Sequence, residues 1–173
     1  MVNGDIARQM SLRGTMAITL NEIRRIRRKI KPLLGQTVWG IKLLGNKGNY
    51  IITLNFGDEI VPAEEDEESY GDWRLWIWRC AWRLDHNDKI LAGSMDDQQK
   101  IQTQLTLLEN LPVYSFQVSR PALDTTINFD NRFDLRLFPV EMDKYFHWKL
   151  WFPNYDSLII GPGSSWLYKK DED

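Results

Sequence analysis

Slid along itself by 75 residues, the chain meets its own pattern, and a duplication limits the possible folds more than any other feature. Thr19, Leu20 and Asn21 fall on Ser94, Met95 and Asp96, and Ile26, Ile30 and Leu33 fall on Ile101, Leu105 and Leu108. Val38, Trp39 and Ile41 meet Val113, Tyr114 and Phe116. Farther on, Tyr70, Trp73, Leu75 and Trp76 meet Tyr145, Trp148, Leu150 and Trp151. Between these blocks the offset slips to 73, where Leu54, Asn55 and Phe56 pair with Ile127, Asn128 and Phe129, as a short loop insertion would leave it.

Each half opens on a helical pattern. Ile23, Ile26, Ile30 and Leu33 form the apolar stripe of an amphipathic helix, with Thr19 and Glu22 spaced as a capping box. Ile101, Leu105 and Leu108 form the second stripe, with Ser94 or Asp96 as its cap. Strand patterns follow: Val38–Leu44, Tyr50–Phe56 and a short Glu59–Val61, then Val113–Ser119, Thr125–Phe129 and Phe133–Phe138. A tryptophan-rich strand completes each meander, followed by Lys89–Ala92 and Ser157–Ile160. The first of these reads as one strand from Trp73 to Leu84, with Trp76, Trp78, Cys80, Trp82 and Leu84 sharing a face. The expectation is an α+β protein of two tandem pseudo-repeats, each a helix followed by an antiparallel meander of four to five strands, packed as one body. Its bounds are a flexible leader over 1–17, units over 18–93 and 94–168, and a solvated tail over 169–173. Met1, Met10 and Met16 are alternative starts.

Composition narrows the function classes. The 173 residues carry 22 Lys and Arg against 24 Asp and Glu, so no global basic field marks a nucleic-acid binder. One cysteine, Cys80, excludes an internal disulfide framework and a cysteine-based zinc site; on the tryptophan face it reads as a small buried hydrophobe. Two histidines, His86 and His147, leave little for metal or triad chemistry. No nucleophile elbow, phosphate loop, dinucleotide fingerprint or zinc-protease motif occurs, and no catalytic, metal or cofactor residue is assigned. Asp85, His86, Asn87 and Asp88 read as a turn, and so does Gly161–Ser165. No apolar run approaches the ~20 residues of a membrane helix, no export signal is seen, and a cytoplasmic protein is expected.

The balanced net charge conceals two opposed blocks. Arg24, Arg25, Arg27, Arg28, Lys29 and Lys31 lie opposite the Ile stripe of the first helix, while Glu64, Glu65, Asp66, Glu67 and Glu68 crowd one loop. Arg24, Arg25 and Arg28, with those five acids, are the candidate partner-binding residues. A protein partner is the first expectation, and nucleic acid held by the basic helix at 24–31 is an alternative. A further alternative is a small-molecule binder or enzyme with a pocket between the repeats, for which His147, Trp148 and Trp151 are the candidate residues.

The runs LDTTINFDNRFDLRLFP (123–139) and WKLWFPNYDSLIIGPGSSW (148–166), with their W-x-L-x-x-P segment, resemble the closing strands of small bacterial proteins that include immunity-type domains found beside polymorphic toxins. The likeness covers residues 113–166 and carries over no functional residue. It favours a binding protein. The missing catalytic motifs, the segregated charge and the surplus of tryptophan carry the expectation itself: a non-enzymatic macromolecule-binding protein, an inhibitor or immunity protein acting through surface charge and aromatic side chains.

Overall fold

The computed structural model describes residues 18–64, 67–142 and 144–171; the predicted leader lies outside them, as do Glu65 and Asp66. Among the described residues are two α-helices, α1 (Leu20–Ile30) and α2 (Gln98–Leu105), each running into a three-residue 3-10 turn. Five strands follow α1: β1 (Val38–Leu44), β2 (Ile51–Ile60), β3 (Tyr70–Ile77), β4 (Cys80–His86) and β5 (Lys89–Gly93). Six follow α2: β6 (Val113–Val118), β7 (Thr125–Phe129), β8 (Phe133–Pro139), β9 (Trp148–Trp151), β10 (Ser157–Ile160) and β11 (Trp166–Lys169).

The caps explain where the helices begin. At α1 the Thr19 hydroxyl accepts from the Glu22 N–H while the Glu22 carboxylate accepts from the Thr19 N–H, so both orphan donors are satisfied. At α2 the cap is Asp97, whose carboxylate accepts from the Lys100 N–H at 2.9 Å, and not Ser94 or Asp96. Asp96 instead accepts from the Gly93 N–H and pairs with Lys100.

All strand pairs are antiparallel, and they form two sheets in the orders β1-β2-β3-β9-β10-β11 and β5-β4-β8-β7-β6. This corrects the predicted units. Neither half builds a meander of four or five strands. Each builds three and sends the remainder to the other half's sheet, so that β9 pairs with β3 and β4 pairs with β8. Trp73 and Trp148, aligned by the 75-residue offset, therefore hold different posts: Trp73 stands opposite Phe56 on β3, and Trp148 opposite Ile77 on β9.

The single strand read over Trp73–Leu84 is also two strands. Arg79, at φ 48°, breaks the alternation between β3 and β4 and passes the chain from one sheet to the other. Trp73, Leu75 and Ile77 are consequently buried before the break, Trp82 and Leu84 after it, and Trp76 is exposed. The short strand expected at Glu59–Val61 is the far end of β2, bent by a bulge at Gly57 and Asp58.

One hydrophobic core holds side chains from both sheets and both helices. Trp148, fully buried on β9, reaches across it. Its ring meets Phe116 of β6 edge-on at 5.6 Å, and its N–H donates to the Thr125 hydroxyl of β7 at 3.2 Å. The sheets join where β1 and β6 begin, through paired backbone bonds such as Gly35 N–H to Val113 and Val38 N–H to Leu111. Both helices stand at strand edges: α1 packs against β6 and reaches β11, and α2 packs against β1 and β5. Edge strands left open invite pairing with other chains, and these are covered in part by the helices. In the predicted tail Lys169, Lys170 and Asp171 are exposed; Lys169 ends β11, the Asp171 N–H donates to Asp156, and residues 172–173 lie outside the described residues. No described helix is long and apolar enough to cross a membrane.

Candidate functional site

The basic face of α1 is divided by the packing of the helix. Ile23, Ile26 and Ile30 enter the core, which turns the cations to two flanks. On one flank Arg25 lies over the Trp166 ring and Lys29 sits 3.2 Å from the Tyr168 ring centroid, near Asp156. On the other, Arg24, Arg27, Arg28 and Lys31 line an open groove of about 560 Å³ with Ile30, Leu34, Phe116 and Gln117. Arg27 donates to the Val118 carbonyl at 3.1 Å, and Arg24 approaches the Asn21 side-chain oxygen at 3.4 Å. No described carboxylate forms an ion pair with Arg24, Arg28 or Lys31. Of the three predicted basic residues, Arg24 and Arg28 thus share a groove and Arg25 belongs to the other flank.

The described acids of the loop form no ion pair with this helix. Glu68 pairs with Lys42 of β1, and Glu64 and Glu67 are exposed. Glu65 and Asp66 lie outside the described residues.

The predicted pocket is not assembled. His147 and Trp148 are fully buried, while Trp151 is on the opposite face of the sheet, in register with Arg74. His147 Nδ1 lies 3.0 Å from the Arg79 carbonyl, which requires the proton on Nδ1; Nε2 is buried without a described hydrogen-bond partner. Neither of two cavities among the described residues is lined by these three. The smaller, about 270 Å³, lies beside Cys80, Trp82 and Ser94, and burial pushes the Cys80 thiol up to about 12, far from a reactive thiolate at neutral pH. The Gly161–Ser165 segment is a hairpin turn closed by the Gly161 N–H to Ser165 carbonyl bond. Among the described residues no group of three His, Cys, Asp or Glu side chains is placed to hold a metal ion.

Sequence reasoning missed the surface that the sheet crossover creates. On the outer face of the six-stranded sheet, the β3–β9 register sets Arg74 opposite Trp151 and Trp76 opposite Lys149. Alternation along each strand then makes a two-by-two checkerboard of cations and indoles. Trp76 is 40% exposed and meets Trp151 edge-on at 5.0 Å. Arg74 lies over Tyr70 at 4.3 Å and Trp151 at 5.3 Å, and the Lys149 ammonium is 4.1 Å from the Trp151 centroid. Lys169 ends the Arg74 row on β11, separated from Trp151 by the buried Ser157 of β10. No described carboxylate forms an ion pair with Arg74, Lys149 or Lys169. Asp72, two residues before Arg74, is turned to the β2 bulge at Gly57, where burial raises its carboxyl pKa. Burial, then repulsion from Lys169 and Arg74, brings the Lys149 ammonium down to about 8. The W-x-L-W spacing at 73–76 and 148–151 was the available signal, but it points to this face only once β3 is known to pair with β9.

Compared with family models, with curated proteins and with solved structures, the chain finds no match.

Proposed function

We propose that this is a non-enzymatic binding protein of the inhibitor or immunity type, which holds an acidic protein surface in the groove along α1. The observation that carries the reading is the cation set at that groove: Arg24, Arg28 and Lys31 stand beside the apolar Leu34 and Phe116 with no described carboxylate to neutralise them. Leu34 is 41% exposed, so the groove offers apolar contact at its wall and charge at its rim, the usual anatomy of a protein interface. Rim charges steer the encounter, and buried apolar anchors slow dissociation. The same reading takes the two halves as descendants of a duplicated helix and three-stranded meander. It is supported by their common element order and by Trp82 and Trp148 on the first exchanged strand of each half, opposite Leu137 and Ile77.

The test is affinity capture from native lysate with the wild-type chain and with Arg24→Glu/Arg28→Glu, before and after nuclease treatment. A stoichiometric protein retained by the wild type, insensitive to nuclease and released by the double variant, is expected. Absence of any such protein, or equal retention by the variant, overturns the reading.

A further inference from the structure

A cation on a protein surface ordinarily finds a carboxylate or full solvation. Arg74 and Lys149 have neither; each is laid against an indole of the same four-residue checkerboard. A cation–π contact at an exposed site is worth only ~0.5–1 kcal/mol. A charge-assisted bond to a phosphate oxygen is stronger, roughly twice a neutral hydrogen bond. An arriving phosphate therefore draws the cation off the ring and uncovers the indole in the same movement. What the uncovered indole then offers is a flat, electron-rich face beside a bound phosphate. That pairing of needs belongs to a nucleotide: an anion and an aromatic base within one residue's reach.

We propose that the outer face of the six-stranded sheet binds single-stranded nucleic acid, with Arg74, Lys149 and Lys169 on phosphates and Trp76 and Trp151 as stacking platforms. The row from Arg74 to Lys169 crosses four strands, about 14 Å at the usual interstrand spacing. That length suits a run of nucleotides better than one free nucleotide. Depressed protonation of Lys149 agrees with a site whose charge is left uncompensated until an anion arrives. A duplex does not answer the same description, because its bases are stacked inside and cannot reach the indoles. An acidic protein would also satisfy the cations, and polyglutamate in the experiment below separates it from a nucleic acid. The α1 groove lacks any such pair of rings, so this site is separate from the one proposed above and stands or falls without it.

The experiment measures fluorescence anisotropy of labelled dT20 and rU20, together with quenching of the protein's tryptophan emission, at several salt concentrations. Binding with quenching is expected, with log K falling against log salt by about 0.7 for each phosphate contact. Trp76→Ala should weaken binding about tenfold or more, the scale of one lost base stack. Trp76→Phe keeps a stacking ring and should retain most of the affinity, which separates stacking from a folding defect. Lys149→Gln should lower both the affinity and the salt slope. Arg24→Glu/Arg28→Glu should bind within about threefold of wild type. No binding to either strand, equal affinity for a blunt duplex or for polyglutamate, or a Trp76→Ala variant that binds as wild type, each overturns the proposal.

Discussion

The two sheets carry the same core and opposite surfaces. In the six-stranded sheet the buried pair Leu75 and Leu150 lies across β3 and β9; in the five-stranded sheet Leu135 and Leu84 lie across β8 and β4. One residue to either side of each pair, the chain turns outward. The five-stranded sheet there sets Asp134 opposite Asp85 and Arg136 opposite Arg83. The six-stranded sheet sets Arg74 opposite Trp151 and Trp76 opposite Lys149. On the first face the charges satisfy one another. Asp85 accepts from Arg83 at 2.7 Å and from Arg136 at 2.8 Å, Arg136 also reaches Asp134, and Asn128 donates to Asp134. On the second, cations rest on rings. The backbone requirement is identical in both, so the difference lies in the side chains: one face closes its charges on itself, and the other leaves its cations without a described carboxylate, which is what the proposed oligonucleotide site uses.

The largest expected effect tests whether the paired face is truly held by its charges. Asp85→Ala removes a nearly buried carboxylate and leaves Arg83 and Arg136 facing each other across the strands. Breaking a fully buried pair costs roughly 3–5 kcal/mol. These arginine side chains are 41% and 37% exposed, so solvent screens the loss to about 2 kcal/mol. Urea denaturation of the two chains measures it. A loss below about 0.5 kcal/mol would mean that the charge lattice is ornamental and that the contrast between the faces carries no energetic meaning.

A transplant comes next. Trp151→Asp gives the six-stranded face the carboxylate that its counterpart has, opposite Arg74 and beside Lys149. The lost ring contacts and the new ion pairs oppose each other, so the melting temperature should move by only a few degrees. Oligonucleotide affinity should fall at least tenfold, because the cations are now occupied and one platform is gone. Retained affinity would show that unpartnered charge is not what this face is for.

The capping box at Thr19, the strands at Thr125–Phe129 and Ser157–Ile160, and the turn at Asp130 and Asn131 were legible because each depends on residues close in the chain. Asp130 and Asn131 both take positive φ, which their side chains tolerate and which a tight hairpin needs. The crossover at Arg79 was not legible. No Gly or Pro marks it, and the residues around it, Trp78, Cys80 and Ala81, suit a continuing strand. That one turn decides which strands become neighbours, and so it decides the site. Trp76 and Lys149 are 73 residues apart, and each alone reads as an ordinary half-buried strand position. Only the cross-strand register makes them a pair, and register between distant strands is set by the packed core. The α1 groove was easier, since helical spacing already groups Arg24 with Arg28; Phe116, which helps line it, comes from β6 and was not foreseen.

The smallest effect, Lys149→Gln, bears most directly on whether the cation is unpartnered. A lysine whose ammonium is held near 8 in the folded chain, against an ordinary 10.5, gives up its proton more readily folded than unfolded. Its charge therefore burdens the folded state below pH 8, and the burden is relieved as pH rises from about 8 towards 10.5. Cys80 and Tyr168 act in the opposite sense: both are raised to about 12, so the folded chain keeps their protons and loses stability through the alkaline range. Glutamine at 149 leaves those two untouched, so the difference between wild type and variant isolates the lysine. Wild type should gain on Lys149→Gln between pH 8 and 10. At pH 7 the two should differ by less than ~1 kcal/mol, since Lys149 is only half-buried, so solvent screens the cost and the contact with Trp151 offsets part of it. Repulsion from Lys169 and Arg74 contributes to the shift, so added salt should shrink the pH-dependent difference. A variant that is clearly less stable at pH 7, with a gap that stays constant to pH 10, would mean that Lys149 already has its counter-charge. The six-stranded face would then be as self-contained as the other.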